Sequence, residues 1–158
     1  MRNSGFTLIE LVASLVILIA ILQTFFFIAN NVNSSSMLRD SLIASNLAQE
    51  GIEVVRNIRD RDAFLENSFG ISLPNGSWRV QWNSTSLLLL SGNLPLKKDS
   101  SNKLFSYDSG TDTIFRRTIV ISSVSANQIR VTSTVNWNLK SGTRTTSAEA
   151  HLFNWFRP

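Results

Sequence analysis

MRNSGFTLIELVASLVILIA, residues 1–20, decides how the rest of the chain is read. From Leu11 to Ala29 the sequence is apolar almost without a break, and GFTLI stands in front of it, yet Glu10 sits at the threshold. As a helix, Phe6 to Ala29 would span about 36 Å at roughly 1.5 Å per residue, enough to cross a hydrocarbon core of about 30 Å. The segment is therefore membrane-competent. A secretory signal peptide would use Arg2 as its charged leader, but the apolar run is long and no A-x-A-like site follows in IANNVNSSS. A plain signal anchor, with Arg2 held in the cytoplasm by the positive-inside rule, accounts for the length. Neither accounts for Glu10. A carboxylate costs about 2.5 to 3.5 kcal/mol at the centre of a bilayer and less near its surface, so its presence calls for a partner.

Gly5-Phe6-Thr7-Leu8-Ile9-Glu10, after a short basic leader and before an apolar helix, resembles the N-terminal signal of type IV pilins and of the pseudopilins of type II secretion. The likeness covers about the first 30 residues. It implies that a prepilin peptidase cuts between Gly5 and Phe6 and that the new amino terminus of Phe6 is N-methylated. The Phe6 amine, with an ordinary pKa of about 8, would then lie one helical turn from Glu10 on the same face. In a filament whose core is made of these helices, Glu10 of one subunit would neutralise Phe6 of its neighbour. Such an ion pair gains little net energy when desolvated, but leaving one member unpaired is costly, so it would set the stagger of the subunits.

Beyond the apolar run the helical pattern continues. Between Ser36 and Glu66 there is no proline and one glycine, Gly51, while Ile43, Leu47, Val54 and Ile58 form an amphipathic stripe. In NNVNSSS, residues 30–36, Asn and Ser compete for backbone hydrogen bonds, which predicts a kink or melted turn there. Leu47-Ala48-Gln49-Glu50-Gly51-Ile52-Glu53, followed by Arg56, Arg59 and Asp60, is similar to the helix of minor pilin-like proteins. Glu50, Glu53, Arg56, Asp60 and Arg61 include opposite charges three and four apart, the pattern of a solvated helix face.

The remainder reads as β. Trp78, Val80 and Trp82 alternate with Arg79 and Gln81, which predicts a half-buried strand entered from an Asn75-Gly76 turn. Ser86–Leu90, Thr113–Val124, Gln128–Leu139 and Thr143–Phe156 are further candidates, the last three forming an antiparallel meander. Residues 91–112 read as a turn-rich connection covering the sheet. In the terminal strand Leu152, Asn154 and Phe156 share one face, and Phe153 and Trp155 the other. The expected fold is α+β and pilin-like. A leader spans residues 1–5, a membrane or filament-core helix 6–29, its amphipathic continuation 30–66 and a β-rich headgroup 67–158.

Composition narrows the function. The chain of 158 residues has 43% hydrophobic and 16% charged residues, room for one modest domain beside the apolar segment. It has no cysteine, which removes disulfides and thiolate metal sites and leaves the compartment open. One histidine, His151, and no nucleophile, zinc or phosphate-binding motif give catalysis no foothold, and the residues require no cofactor. Asp108 and Asp112, with Ser109 and Thr111, offer oxygen ligands for calcium, but turn chemistry accounts for them more simply. The net charge is +4. Lys97, Lys98, Lys103, Arg116, Arg117, Arg130, Lys140 and Arg144 could meet nucleic acid, yet they are scattered, and Arg116 and Arg117 must point to opposite sheet faces. Asn75-Gly76-Ser77 and Asn83-Ser84-Thr85 match the glycosylation acceptor pattern.

The resemblance thus implies a filament subunit. Its partners would be the prepilin peptidase, other pilin or pseudopilin subunits, the inner-membrane assembly machinery and the lipid bilayer, with nucleic acid disfavoured. Before assembly it would be a single-pass protein with an extracytoplasmic headgroup. The competing expectation is a monomeric signal-anchored β-domain, an adhesion or DNA-binding module that never polymerises.

Overall fold

The first proline of the chain is Pro74, so nothing upstream interrupts a helix by steric necessity. The computed structural model describes residues 7–139 and 142–155, the side chains of 29–35 excepted. In it α1 runs from Leu8 to Glu66. The melted turn, one of the two outcomes expected at residues 30–36, is absent from the backbone, which is helical there. Each Asn or Ser costs only tenths of a kcal/mol in a helix, and propagation from formed turns on either side outweighs that cost.

Two compact units divide the chain, Met1–Asp40 and Ser41–Pro158. In the first, Leu8–Ile28 is long and apolar enough to cross a membrane, and none of it is buried by the rest of the chain. Its two hydroxyl side chains return their protons to the helix: Ser14 Oγ donates to the Leu11 carbonyl (2.8 Å) and Thr24 Oγ1 to the Ala20 carbonyl (2.8 Å). No hydroxyl donor of these two residues is left facing an apolar surround, where it would cost several kcal/mol. A single N-terminal apolar helix of this kind serves as a membrane anchor or a signal sequence.

The second unit holds a five-stranded antiparallel sheet in the order β2-β1-β6-β7-β8, from β1 (Gly76–Arg79), β2 (Leu88–Leu89), β6 (Phe115–Ser125), β7 (Gln128–Leu139) and β8 (Gly142–Phe153). The meander β6-β7-β8 is thus as expected, within three residues at each boundary described. The other strands are shorter than expected. The strand read through Trp82 stops at Arg79, leaving Val80 and Gln81 buried and Trp82 47% exposed in a turn. The cause is local: Gln81 N–H donates to Ser84 Oγ and its carbonyl accepts the Ser84 N–H, which curls the backbone out of the sheet. Residues 91–112 are not pure loop. They carry β3 (Lys97–Lys98), β4 (Phe105–Ser106) and β5 (Thr111–Asp112), a small sheet of order β4-β3-β5.

The later turns of α1 lie on the main sheet. Leu47, Ala48, Ile52, Val54, Val55, Ile58 and Ala63 are buried, a stripe wider than the four positions that marked it in the sequence. Alternation along β6 buries Phe115, Arg117, Ile119 and Ile121, and along β7 Ile129, Val131, Ser133, Val135 and Trp137. Each large aliphatic side chain so buried contributes about 1.5–3 kcal/mol. These residues form two apolar clusters. One gathers Ile52, Val55, Ile58, Leu73, Val80, Ile119, Val131 and Leu152, the other Ala44, Leu47, Ala48, Leu96, Phe115, Val135 and Trp137. At the close of α1, Asn67 takes the left-handed conformation (φ 47°), and the buried Asp62 carboxylate accepts both the N–H (2.9 Å) and Oγ (2.8 Å) of Ser72.

At Gly51 helix and sheet approach too closely for a side chain. A Cβ there would overlap Ser133 Oγ, lie 2.8 Å from Ile119 Cδ1 and 3.2 Å from Arg117 Cδ. The Ser133 hydroxyl can turn about χ1, but Ile119 and the Arg117 stem must shift as well. Gly51→Ala, which in a solvated helix would gain up to about 1 kcal/mol, is expected here to lose about 1–3 kcal/mol by overpacking. Chemical unfolding of the two proteins side by side measures it; a more stable alanine variant would refute the close approach.

Candidate functional site

Gly5 and Phe6, the residues of the expected cleavage, methylation and ion pair, lie outside the described residues. Glu10 is described. Thr7 is the last residue before α1, and its carbonyl accepts the N–H of Glu10 (3.1 Å) and of Leu11 (3.2 Å). Thr7 therefore occupies the N-cap and Glu10 the third helical position, the T-x-x-E spacing of a capping box. An exposed carboxylate in a first turn gains about 0.3–1 kcal/mol from the unpaired N–H groups of the helix end. Glu10 thus has a local, modest reason to be there that involves no other subunit. Among the described residues it forms no ion pair.

The second polar centre lies between the two apolar clusters. Arg117 is 2% exposed, on the inward side of β6. Its Nη1 donates to the Leu47 carbonyl (2.8 Å) and to Glu50 Oε1 (2.9 Å), and its Nη2 donates to the Val80 carbonyl. One planar fork thus ties α1 to the segment that leaves β1. This corrects two expectations. Arg117 is no surface cation available to nucleic acid, and Glu50 is no member of a freely solvated helix face, for its side chain is 31% exposed against the guanidinium. Glu53 and Arg56 do form an exposed pair (2.8 Å), as the spacing indicated. Arg59, though, is buried, with Nη1 on the Phe153 carbonyl (3.0 Å), and Arg61 donates to the Thr85 carbonyl (3.1 Å). Parity carried the missed signal: Arg117 stands two residues from Phe115 and from Ile119, both of them apolar and buried.

Around Arg117 a polar bracket joins the small sheet to the large one. Tyr107 Oη donates to the Arg117 carbonyl (3.2 Å), Tyr107 N–H donates to Gln81 Oε1 (2.8 Å), and Gln81 Nε2 donates to Asp108 Oδ2 (2.6 Å). Asp108, a calcium candidate, is thus engaged in holding Gln81. Asp112, the other, is exposed and lies in β5 opposite Lys97. No group of three or more metal-ligating side chains occurs among the described residues. Burial pushes the Tyr107 hydroxyl above its usual range, since the phenolate would leave water. Above pH 10 the unfolded chain would ionise while the folded one stays neutral, so stability present below that pH declines as pH rises further. Tyr107 is the one tyrosine of the chain, so tyrosinate absorbance reads it alone. It is expected to titrate higher in the native protein than in denaturant; coincident curves would place the hydroxyl in water.

The other candidates fall apart spatially. Arg116 Nε donates to the Asn93 carbonyl (3.0 Å) on the outward face, opposite Arg117 as alternation requires. Arg130 reaches Ser122, Lys98 stacks on the Phe105 ring, and Lys140 lies outside the described residues. His151 is exposed, in contact with Gln128 (2.8 Å) and Glu149 (3.5 Å). Asn75 holds the Ser123 N–H and hydroxyl. In the terminal strand Leu152 is buried and Phe153 exposed, as alternation indicated; Phe156 lies outside the described residues. A depression of about 650 Å³ lies between α1 (Ser45–Arg56) and β8 (Ser147–Ala150). Compared with known proteins, the chain matches no family model, no curated protein and no solved structure.

Proposed function

We propose that the protein is a structural subunit of a type IV pilus-like or type II secretion pseudopilus-like filament. One coincidence carries the reading: the Gly5-Phe6-Thr7-Leu8-Ile9-Glu10 motif runs directly into α1, whose Leu8–Ile28 stretch is apolar and unburied by the chain's own residues. An apolar surface of that size needs another environment. Lipid supplies it before assembly, and the equivalent helices of neighbouring subunits supply it afterwards. A helix laid on an antiparallel sheet in the second unit is compatible with a pilin headgroup. In this reading a prepilin peptidase releases residues 1–5, Phe6 becomes the methylated terminus, and its amine pairs with Glu10 of a neighbour. The minor rather than the major subunit is favoured by LAQEGIE, residues 47–53.

Mass analysis of the mature N-terminus tests the proposal. The expected result is a chain beginning at N-methylated Phe6. An intact Met1 would instead support the signal-anchored monomer, and a cut near residue 30 a secreted β-domain.

A further inference from the structure

On the face of β6, β7 and β8 that turns away from the apolar core, one end of the sheet holds a depression of about 610 Å³ lined by Asn93, Arg116, Asn136, Asn138 and Thr143. The register sets these residues side by side: Arg116 lies opposite Asn136, Asn136 opposite Thr145, and Asn138 opposite Thr143. Their mutual hydrogen bonds use up acceptors. Thr145 Oγ1 donates to Asn136 Oδ1 (2.7 Å), Thr143 Oγ1 to Asn138 Oδ1 (2.9 Å) and Arg116 Nε to the Asn93 carbonyl (3.0 Å). What remains is mostly donors. Neither Nη of Arg116, nor the Nδ2 of Asn136 or of Asn138, has a partner among the described residues, and Arg116 forms no ion pair there. No carboxylate lines the depression. On the outward face of these strands the one carboxylate is Glu149, opposite Thr132 and so four residues along β7 from Asn136, about 13 Å at the rise of a strand.

We propose that this depression binds an acidic sugar, a hexuronate unit whose carboxylate lies on Nη1 and Nη2 of Arg116 and whose hydroxyls meet Asn136, Asn138 and Thr143. The charge count selects the anion. A single guanidinium, half-buried, fixed through its Nε and free of carboxylate neighbours, suits one planar carboxylate. A phosphodiester chain needs cations repeated along it, and Arg130, the other arginine of this face, stands six residues further along β7, about 20 Å away. The neutral groups select the sugar. Both amide Nδ2 groups donate to hydroxyl oxygens, while Thr143 Oγ1, its proton given to Asn138, is left to accept one, a role that a sugar hydroxyl fills and a bare carboxylate does not. The space is that of a small-molecule site, larger than a single ion requires. The proposal rests on the Ser41–Pro158 unit alone, so it stands or falls apart from the filament reading.

The full-length chain, isotopically labelled and in detergent micelles, is titrated with sodium glucuronate while the side-chain amide resonances of Asn136 and Asn138 are followed. The expected result is saturable binding that shifts both amides and weakens as salt is raised. It should exceed the binding of glucose, which lacks the charge, and of inorganic phosphate, which lacks the ring. Arg116→Gln is expected to weaken glucuronate binding roughly tenfold or more, and Arg116→Lys to fall between, because an ammonium keeps the charge without the fork. Asn138→Asp still accepts the Thr143 proton but sets a negative charge at the rim, and should abolish binding. Arg130→Gln makes the same change of charge elsewhere on this face and should bind as the parent does. Phosphate held as tightly as glucuronate would overturn the proposal, since the depression would then be a plain anion site. Undetectable glucuronate binding would overturn it too, as would a loss in Arg130→Gln equal to that in Arg116→Gln.

Discussion

An Arg117→Met chain is expected to lose about 3 kcal/mol of stability in the Ser41–Pro158 unit, a large share of the 5–15 kcal/mol typical of a domain. Methionine occupies a similar volume and leaves the packing of Ile119 and Phe115 in place, so the loss is electrostatic and hydrogen-bonding in origin. It strands the Glu50 carboxylate and removes the guanidinium donor from the Val80 carbonyl. The Leu47 carbonyl suffers less, because a helix carbonyl has the N–H four residues on as its partner. Glu50 keeps 31% of its side-chain surface in water, which holds the cost to the lower part of the range for breaking a buried pair. Two companions separate charge from shape. Arg117→Met with Glu50→Gln should recover part of the loss, since no unpaired charge remains, and Arg117→Lys should fall between, because an ammonium lacks the planar fork. Denaturant unfolding followed by tryptophan fluorescence, with Trp137 in the core, gives the values. A methionine variant as stable as the parent would remove Arg117 from the determinants of the fold.

Replacing Glu10 with valine is expected to leave membrane insertion intact and to abolish incorporation into filaments. Insertion should if anything improve, as an acidic side chain near a bilayer surface is disfavoured and valine is not. The glutamine variant is the more telling one. Glutamine retains the shape and the acceptor oxygen that suit the third position of a capping box, and loses only the charge. If helix capping were the whole role of Glu10, glutamine would assemble normally, and valine would cost only about 0.3–1 kcal/mol of helix-end stability. If the carboxylate neutralises a neighbour's amine, both variants fail, and to a similar extent. Membrane fractionation and quantification of sheared surface filaments distinguish the two. Normal assembly of the glutamine chain would sink the ion pair.

Much of the fold was legible because its signals are local. Period-two alternation placed β6, β7 and β8 to within three residues, since every second side chain of β6 up to Ile121 and of β7 up to Trp137 is buried, and every second one of β8 from Thr146 on is at least half-buried. The helix from Leu8 to Glu66 followed from the missing prolines and the apolar stripe. The errors share a cause as well. Trp78 to Trp82 alternates correctly, but a side-chain bond from Ser84 to the Gln81 backbone ends the strand early. Residues 30–36 have weak propensity, but propensity loses to cooperative propagation.

What the sequence by itself determined is whatever depends on composition and period: the membrane-length apolar run, the motif at residues 5–10, and the class of helix plus antiparallel sheet. Those depend on neighbours within a few residues, so one dimension suffices to read them. What only the tertiary structure decided is which charges are solvated. Glu50 and Arg117 read as ordinary surface charges, yet Arg117 is almost wholly buried, as are Arg59 and Asp62, and Glu50 is turned against the guanidinium. Their partners, Val80, Phe153 and Ser72 among them, are brought near by the folding of α1 onto the sheet, and Gly51 permits that contact. A charge is affordable inside a protein only where such partners converge. Convergence of residues as far apart in the chain as Glu50 and Arg117 is a property of the folded molecule and leaves no periodic trace in the sequence.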